Sequence, residues 1–146
     1  MESEMIWELV CHLDHLSGEE LGHAITEIMA DGALDVLWTP GVGKKNRPSG
    51  ELRALCAQSP QEERLRRVQA SIFRHTHTLG LRRTLVERLF LPRAAASAET
   101  AYGSLKAKSY RLGGASYTRI EHDELARASR ASGHGLPGLF SVDSED

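Results

Sequence analysis

Between Ile6 and Leu91 the spacing of apolar residues changes from segment to segment, and that succession constrains the fold more than any other feature of the chain. Ile6 to Asp14 alternates, with Trp7, Leu9, Cys11 and Leu13 on one face, and reads as a strand. Ser17 follows as a helix N-cap, with Glu20 at the reciprocal capping-box position. Leu21, Ala24, Ile25, Ile28 and Met29 then recur at helical spacing, and Gly32 is placed to stop that helix. Leu34 to Thr39 and Leu52 to Ala57 read as a second and a third strand. Ser59-Pro60 opens a second helix, whose apolar stripe is Leu65, Val68, Ile72 and Phe73. Gly80 ends the turn after it, and Leu81 to Leu91 is a fourth strand. The order β-α-β-β-α-β predicts an α+β fold with a ferredoxin-like core, two helices on one face of an antiparallel sheet.

Ala94 to Thr100 and Leu105 to Tyr110, joined by a turn at Tyr102-Gly103, add a β-hairpin to that core. Gly113-Gly114 is another turn, and Ile120 to Arg130 is a short C-terminal helix. Gly133, Gly135, Pro137 and Gly138 then break regular structure, and Ser141 to Asp146 is acidic and frayed. The 146 residues read as a single domain over 1–140 with an acidic flexible tail at 141–146. A core with one uncovered sheet face is expected to self-associate.

Charge is unevenly distributed. Residues 1–43 contain no Lys or Arg, whereas residues 44–83 carry Lys44, Lys45, Arg47, Arg53, Arg64, Arg66, Arg67, Arg74, Arg82 and Arg83 against Glu51, Glu62 and Glu63. The two segments are suited to meet within a fold or across a subunit interface, or to set an anion site beside a cation site. Net charge of −2 and sparse aromatics argue against nucleic-acid binding, which needs a basic surface and stacking platforms. No apolar run reaches the length of a membrane span, and the N-terminus lacks a secretory pattern, so a cytoplasmic protein is expected. Cys11 and Cys56 have no metal-ligand spacing and read as small buried hydrophobes in a reducing compartment.

The strongest basic cluster is Lys44-Lys45-Asn46-Arg47-Pro48, flanked by Gly41, Gly43 and Gly50, which let the backbone turn. It combines point charges, an amide donor and a bidentate fork, a set suited to a polyanion. The plain alternative is a solvated hairpin connection.

The loop has a context. Gly32-Ala33-Leu34-Asp35-Val36, Thr39-Pro40 and Lys44-Lys45-Asn46-Arg47-Pro48, in that order, resemble the C-terminal domain of the LarC family, which makes the nickel-pincer nucleotide cofactor of lactate racemase. Three more blocks support the resemblance: Ile72 to Arg82, Val86-Glu87-Arg88 through Leu91-Pro92-Arg93 with Glu99 to Gly103, and Leu13-Asp14 with Ser17-Gly18-Glu19. It runs from about Ile6 to about Leu139. The resemblance implies a CTP-binding domain with Mg or Mn on the triphosphate. Its implied role is nickel insertion into pyridinium-3,5-bisthiocarboxylic acid mononucleotide by a CTP-dependent cyclometallase, a lyase that releases CMP and diphosphate. It also implies a homo-oligomer, a trimer or hexamer, and a separate partner carrying the larger N-terminal domain. With almost nothing before its first strand, the chain is expected to be half of a split enzyme or a free-standing relative.

By the resemblance, Lys44, Lys45, Asn46 and Arg47 bind phosphate, or else close an intersubunit interface. Thr76 and Thr78 donate to the nucleotide or cap the second helix, and Arg82 reaches the same anion. The first strand of the family ends in a polar row close to Glu-x-Asn-x-Asp-Asp. Here Asp14 and the following Glu19 keep that pattern, while Val10, His12 and His15 depart from it. His75 and His77 stand where the family carries Glu and Thr. If His12, His15, His75 and His77 converge with Asp14 and Glu19, imidazoles replace oxygen ligands and favour Zn, Ni, Cu or Fe over Mg. The alternatives are therefore a histidine-rich transition-metal-binding protein of the same fold and a non-catalytic oligomerising subunit. No Walker loop or Gly-x-Ser-x-Gly motif is present, and Cys11 and His12 point to opposite faces of a strand, which disfavours a Cys–His dyad.

Overall fold

The computed structural model describes residues 1–136, and within them the chain divides into two compact units. One is Ser3–Arg88; the other runs from Leu89 onward and includes Met1–Glu2. The acidic tail expected at 141–146 lies outside the described residues.

In the first unit, β1 (Glu2–Leu13), α1 (Gly18–Ala30), β2 (Asp35–Val42), β3 (Pro48–Ala57), α2 (Glu63–Thr76) and β4 (Arg82–Phe90) follow in the expected order, with Glu2, Leu89 and Phe90 counted to the second unit. The sheet order is β2-β3-β1-β4, the ferredoxin-like arrangement, with β3 antiparallel to both β1 and β2. Pairing Leu9 with Ala54 and Cys11 with Leu52 puts the apolar residues of β1 and β3 on one face. Ala24 and Ile28 of α1 and Leu65, Val68 and Ile72 of α2 close over that face as one buried cluster. Each buried Leu or Ile contributes roughly 2 kcal/mol of transfer free energy. The ends of the expected stripes fall outside it, since Met29 and Phe73 are exposed.

The two helices start and stop by different means. At α1 the Ser17 side chain accepts from the Glu20 amide, and the Glu20 carboxylate accepts from the Ser17 amide, completing the capping box. Gly32, at φ 108°, ends it in a Schellman motif, with Ala33 N–H on the Ile28 carbonyl and Gly32 N–H on the Met29 carbonyl. For α2 the expected opening at Ser59-Pro60 is instead a β-turn closed by the Glu62 amide on the Ser59 carbonyl, with Pro60 at its second position. The helix begins at Glu63 after a left-handed Glu62 and stops at a left-handed His77, with Gly80 in the turn that follows.

The second unit extends the expected hairpin by one strand. β5 (Ala94–Thr100), β6 (Gly103–Leu112) and β7 (Ala115–Ile120) form an antiparallel meander, followed by α3 (His122–Ser132). Gly113 and Gly114 both have positive φ and join β6 to β7 as a two-residue hairpin loop. Sequence periodicity missed β7 because Ala115 to Ile120 carries little apolar alternation, and every residue in it but Ile120 is exposed. Among the described residues of this unit, Leu105 and Ala107 of β6 and Ala128 of α3 are buried.

Candidate functional site

The topology brings the end of β1, the start of α1, the loop between β2 and β3, the end of α2 and the start of β4 to one end of the four-stranded sheet. The loop there is a short 3-10 turn, Lys44–Asn46. Lys45 and Asn46 are both left-handed, at φ 64° and 54°. Each left-handed non-glycine residue costs of order 1 kcal/mol, and such strain collects at ligand-binding segments. Three contacts hold the loop in place. The Gly43 amide donates to the Arg47 carbonyl at 2.9 Å. Arg47 Nη2 lies 3.3 Å from Asp14 Oδ2 at the end of β1. Gly43 presses against the His12 and Ser49 side chains so closely that a Cβ there would come within 2.7 Å of Ser49 Oγ.

His12 Nε2 and Ser49 Oγ are 2.9 Å apart across β1 and β3. His15 turns to the other side, where its Nε2–H donates to the Thr76 carbonyl at 2.8 Å, with Nδ1 3.8 Å from Asp14. A cavity of about 180 Å³ opens between these groups, with Asp14, His15 and Ser49 on its rim and Leu21 and Trp38 in its wall. Lys44, Lys45 and Asn46 are exposed beside it.

Thr76 is fully buried and its hydroxyl is engaged on both sides, donating to the Ile72 carbonyl and accepting from the Thr78 amide. Thr78 donates to the Gly80 carbonyl. Thr76 thus closes the last turn of α2, and Thr78 ties down the loop that follows it. Arg82 donates to Glu51 at 2.5 Å, a carboxylate that also lies 4.0 Å from Arg53. Burial pushes the Cys11 thiol up to about 11, against the pull of the Thr76 hydroxyl and Arg82. A thiol held neutral in this way is a poor nucleophile. The Ser17 hydrogen bonds hold the Glu20 carboxyl below its ordinary range.

The four histidines do not gather. His75 packs edge-on against His23, ring centres 5.5 Å apart, away from His12 and its Ser49 partner. His77 is exposed at the end of α2, and Glu19 is exposed in the first turn of α1. Among the described residues no group of three or more His, Cys, Asp or Glu is placed to hold a metal ion. His75 lies in the last turn of α2 and is taken up by His23, whereas His77 is the left-handed residue beyond the helix. Ser49 and Glu51 are partners that sequence reasoning did not single out. Antiparallel pairing of the alternating β3 residues against His12 was the signal for both.

The sequence profile of the family described as nickel insertion protein matches residues 1–138. A putative nickel insertion protein of Maridesulfovibrio salexigens is 37% identical over 129 residues, covering 88% of this chain and 30% of that protein. One of Methanothermobacter thermautotrophicus is 35% identical over 139 residues, covering 92% and 33%. The pyridinium-3,5-bisthiocarboxylic acid mononucleotide nickel insertion protein of Alkaliphilus metalliredigens is 28% identical over 134 residues, covering 92% and 31%. The chain thus spans about a third of the length of these relatives. Among solved structures, the fold is similar to LarC2, the C-terminal domain of a cyclometallase involved in synthesis of the NPN cofactor of lactate racemase. The TM-score is 0.84 at 23% identity, covering 97% of this chain and 95% of that one. A protein of Methanopyrus kandleri AV19 gives a TM-score of 0.60 at 20% identity, covering 94% and 84%.

Proposed function

This chain belongs to the nickel insertion protein family, and from that premise we propose that it is the CTP- and divalent-metal-binding part of a nickel-inserting cyclometallase. The observation that carries the reading is the loop at Lys44–Arg47, held in strained backbone at the sheet end where Asp14 stands. Lys44 and Lys45 supply point charges and Arg47 a planar fork for the triphosphate. Asn46 adds an amide donor.

The donor set fits Mg²⁺ or Mn²⁺ carried in on the nucleotide. Such an ion needs only one or two protein carboxylates, for which Asp14 and Glu19 would be the holders, with phosphate oxygens and water completing its shell. The same donor set does not fit a transition ion held by protein alone, because no three-ligand group forms among the described residues. When bound, the divalent ion neutralises charge on the triphosphate. The chain's own part is an exchange of partners. Arg47 would have to give up Asp14 to reach phosphate, which would leave that carboxylate available to hold the ion, and Arg82, now on Glu51, would be placed for the same exchange. His12 and His15 hold the rim, through Ser49 and the Thr76 carbonyl.

In this reading nickel is cargo, delivered into pyridinium-3,5-bisthiocarboxylic acid mononucleotide by a larger partner domain working with this one. The assembly is a cytoplasmic homo-oligomer with CTP cleaved to CMP and diphosphate. No helix among the described residues is long and apolar enough to cross a membrane. Calorimetric titration with CTP, with and without Mn²⁺ and with ATP as control, tests the reading. Binding that is selective for CTP and strengthened by Mn²⁺ supports it; no nucleotide binding overturns it.

A further inference from the structure

The second unit contains a cavity of about 530 Å³, within the range of small-molecule sites. Its basic side chains come from three places: Arg93 ahead of β5, Lys108 on β6 and Arg119 on β7. Lys108 and Arg119 are directly opposed across the β6–β7 ladder. Like charges in that position repel and weaken a sheet unless an anion sits between or beside them. Glu121 meets part of this need, 3.8 Å from Lys108. Among the described residues neither Arg93 nor Arg119 has a carboxylate at ion-pair distance. The first turn of α3 also lines the space, and its N-cap Glu121 makes no side-chain capping bond. The helix therefore adds free backbone donors and the positive end of its dipole.

The remaining wall carries aromatic and aliphatic side chains, including Leu91 and Ile120. Phe90 and Tyr110 line it, and Tyr110 is held by stacking on Tyr117, ring centres 5.5 Å apart and 17° from parallel. A free inorganic anion would leave that wall unused, and an uncharged ring would leave Arg93 and Arg119 unused. Asp123, on the rim, argues against a simple polyanion and offers an acceptor to a ring substituent or sugar hydroxyl.

We propose that this cavity is a mononucleotide site, with the phosphate on Arg93 and Arg119 and the flat ring against Tyr110 and Phe90. It is separate from the Lys44–Arg47 loop, every lining residue lies in the second unit, and the proposal does not depend on CTP binding at that loop. The test is calorimetric titration of the 146-residue chain with nicotinic acid mononucleotide, which carries a phosphate, a sugar and an anionic pyridinium ring. Saturable binding is expected, with ribose 5-phosphate and nicotinic acid each at least about tenfold weaker. Arg93→Gln and Arg119→Gln should each weaken it by about tenfold, the size of one charge-assisted hydrogen bond. Lys45→Glu should leave it unchanged. Thermal melting checks that each variant is folded, and Arg93, exposed and outside any strand, is the safer of the two. No saturable binding, equal affinity in both arginine variants, or loss in Lys45→Glu would overturn the proposal. Failure of CTP to bind would overturn only the preceding reading.

Discussion

The loop end of the four-stranded sheet and the cavity of the three-stranded sheet are both rich in cations, but they are wired differently. At the first, arginines already have carboxylate partners: Arg47 with Asp14, Arg82 with Glu51, Arg53 with Glu8. At the second, Arg93 and Arg119 face the cavity without one among the described residues. Exposed ion pairs contribute at most about 1 kcal/mol each, so the first set is easily exchanged. A prewired site can hand a carboxylate to a metal as its arginine moves to phosphate, which couples ion and anion binding. Arg93 and Arg119 have no carboxylate to hand over, and this site should bind its anion without a metal.

The largest effect should come from the loop itself. Lys45→Glu combined with Arg47→Glu should lower CTP affinity by about a hundredfold or more, since two charge-assisted contacts become repulsive. Arg119→Gln should leave CTP binding alone; equal losses in both would erase the distinction between the two regions. Asp14→Asn should follow in size. It removes the exchangeable carboxylate, so the gain in CTP affinity on adding Mn²⁺ should shrink about tenfold while metal-free affinity holds or rises, as read by titration at matched ionic strength. A metal gain that survives the substitution would assign Asp14 to Arg47 alone.

Two smaller effects concern stability. Cys11 lies under Thr76 with its thiol raised from 9.0 to about 11. A group whose folded value is raised contributes stability that is complete below the unfolded value and is lost as pH rises through the folded one. Denaturant midpoints should therefore hold to about pH 9 and fall towards pH 11, and Cys11→Ala should flatten that fall. Lys45→Gly relieves a left-handed residue at φ 64° and should raise stability by about 0.5–1 kcal/mol, seen as a small rise in Tm, while weakening CTP. A variant that is neither more stable nor weaker in binding would remove strain from the account of the loop.

The core of the four-stranded unit and the two ends of α1 were legible in sequence. The alternation of Leu9, Cys11 and Leu13, the Ser17–Glu20 box and the Gly32 stop are local signals, and the structure contains all three. The partners of the candidate residues were less legible, because they depend on register. Nothing near His12 announces Ser49, and nothing near His75 announces His23; each pair forms only once strands or helices are placed side by side. The strand β7 escaped because its residues are nearly all exposed, so no buried face imposed a period on them. The late start of α2 escaped because Ser59-Pro60 suits a β-turn as well as a helix opening.

The hydrogen bond from His15 to the Thr76 carbonyl spans 61 positions of sequence, and the pairs Arg82–Glu51 and His12–Ser49 span 31 and 37. Each of them requires a loop of that order to be closed, so they depend on non-local docking rather than on local structure. Nascent helices or an isolated hairpin of this chain cannot assemble the rim. Ligand affinity at this end of the sheet is thus also a gauge of folding: a chain that binds has docked α2 and paired β1 with β3, and one that has lost either should bind nothing, however intact its loop of lysines.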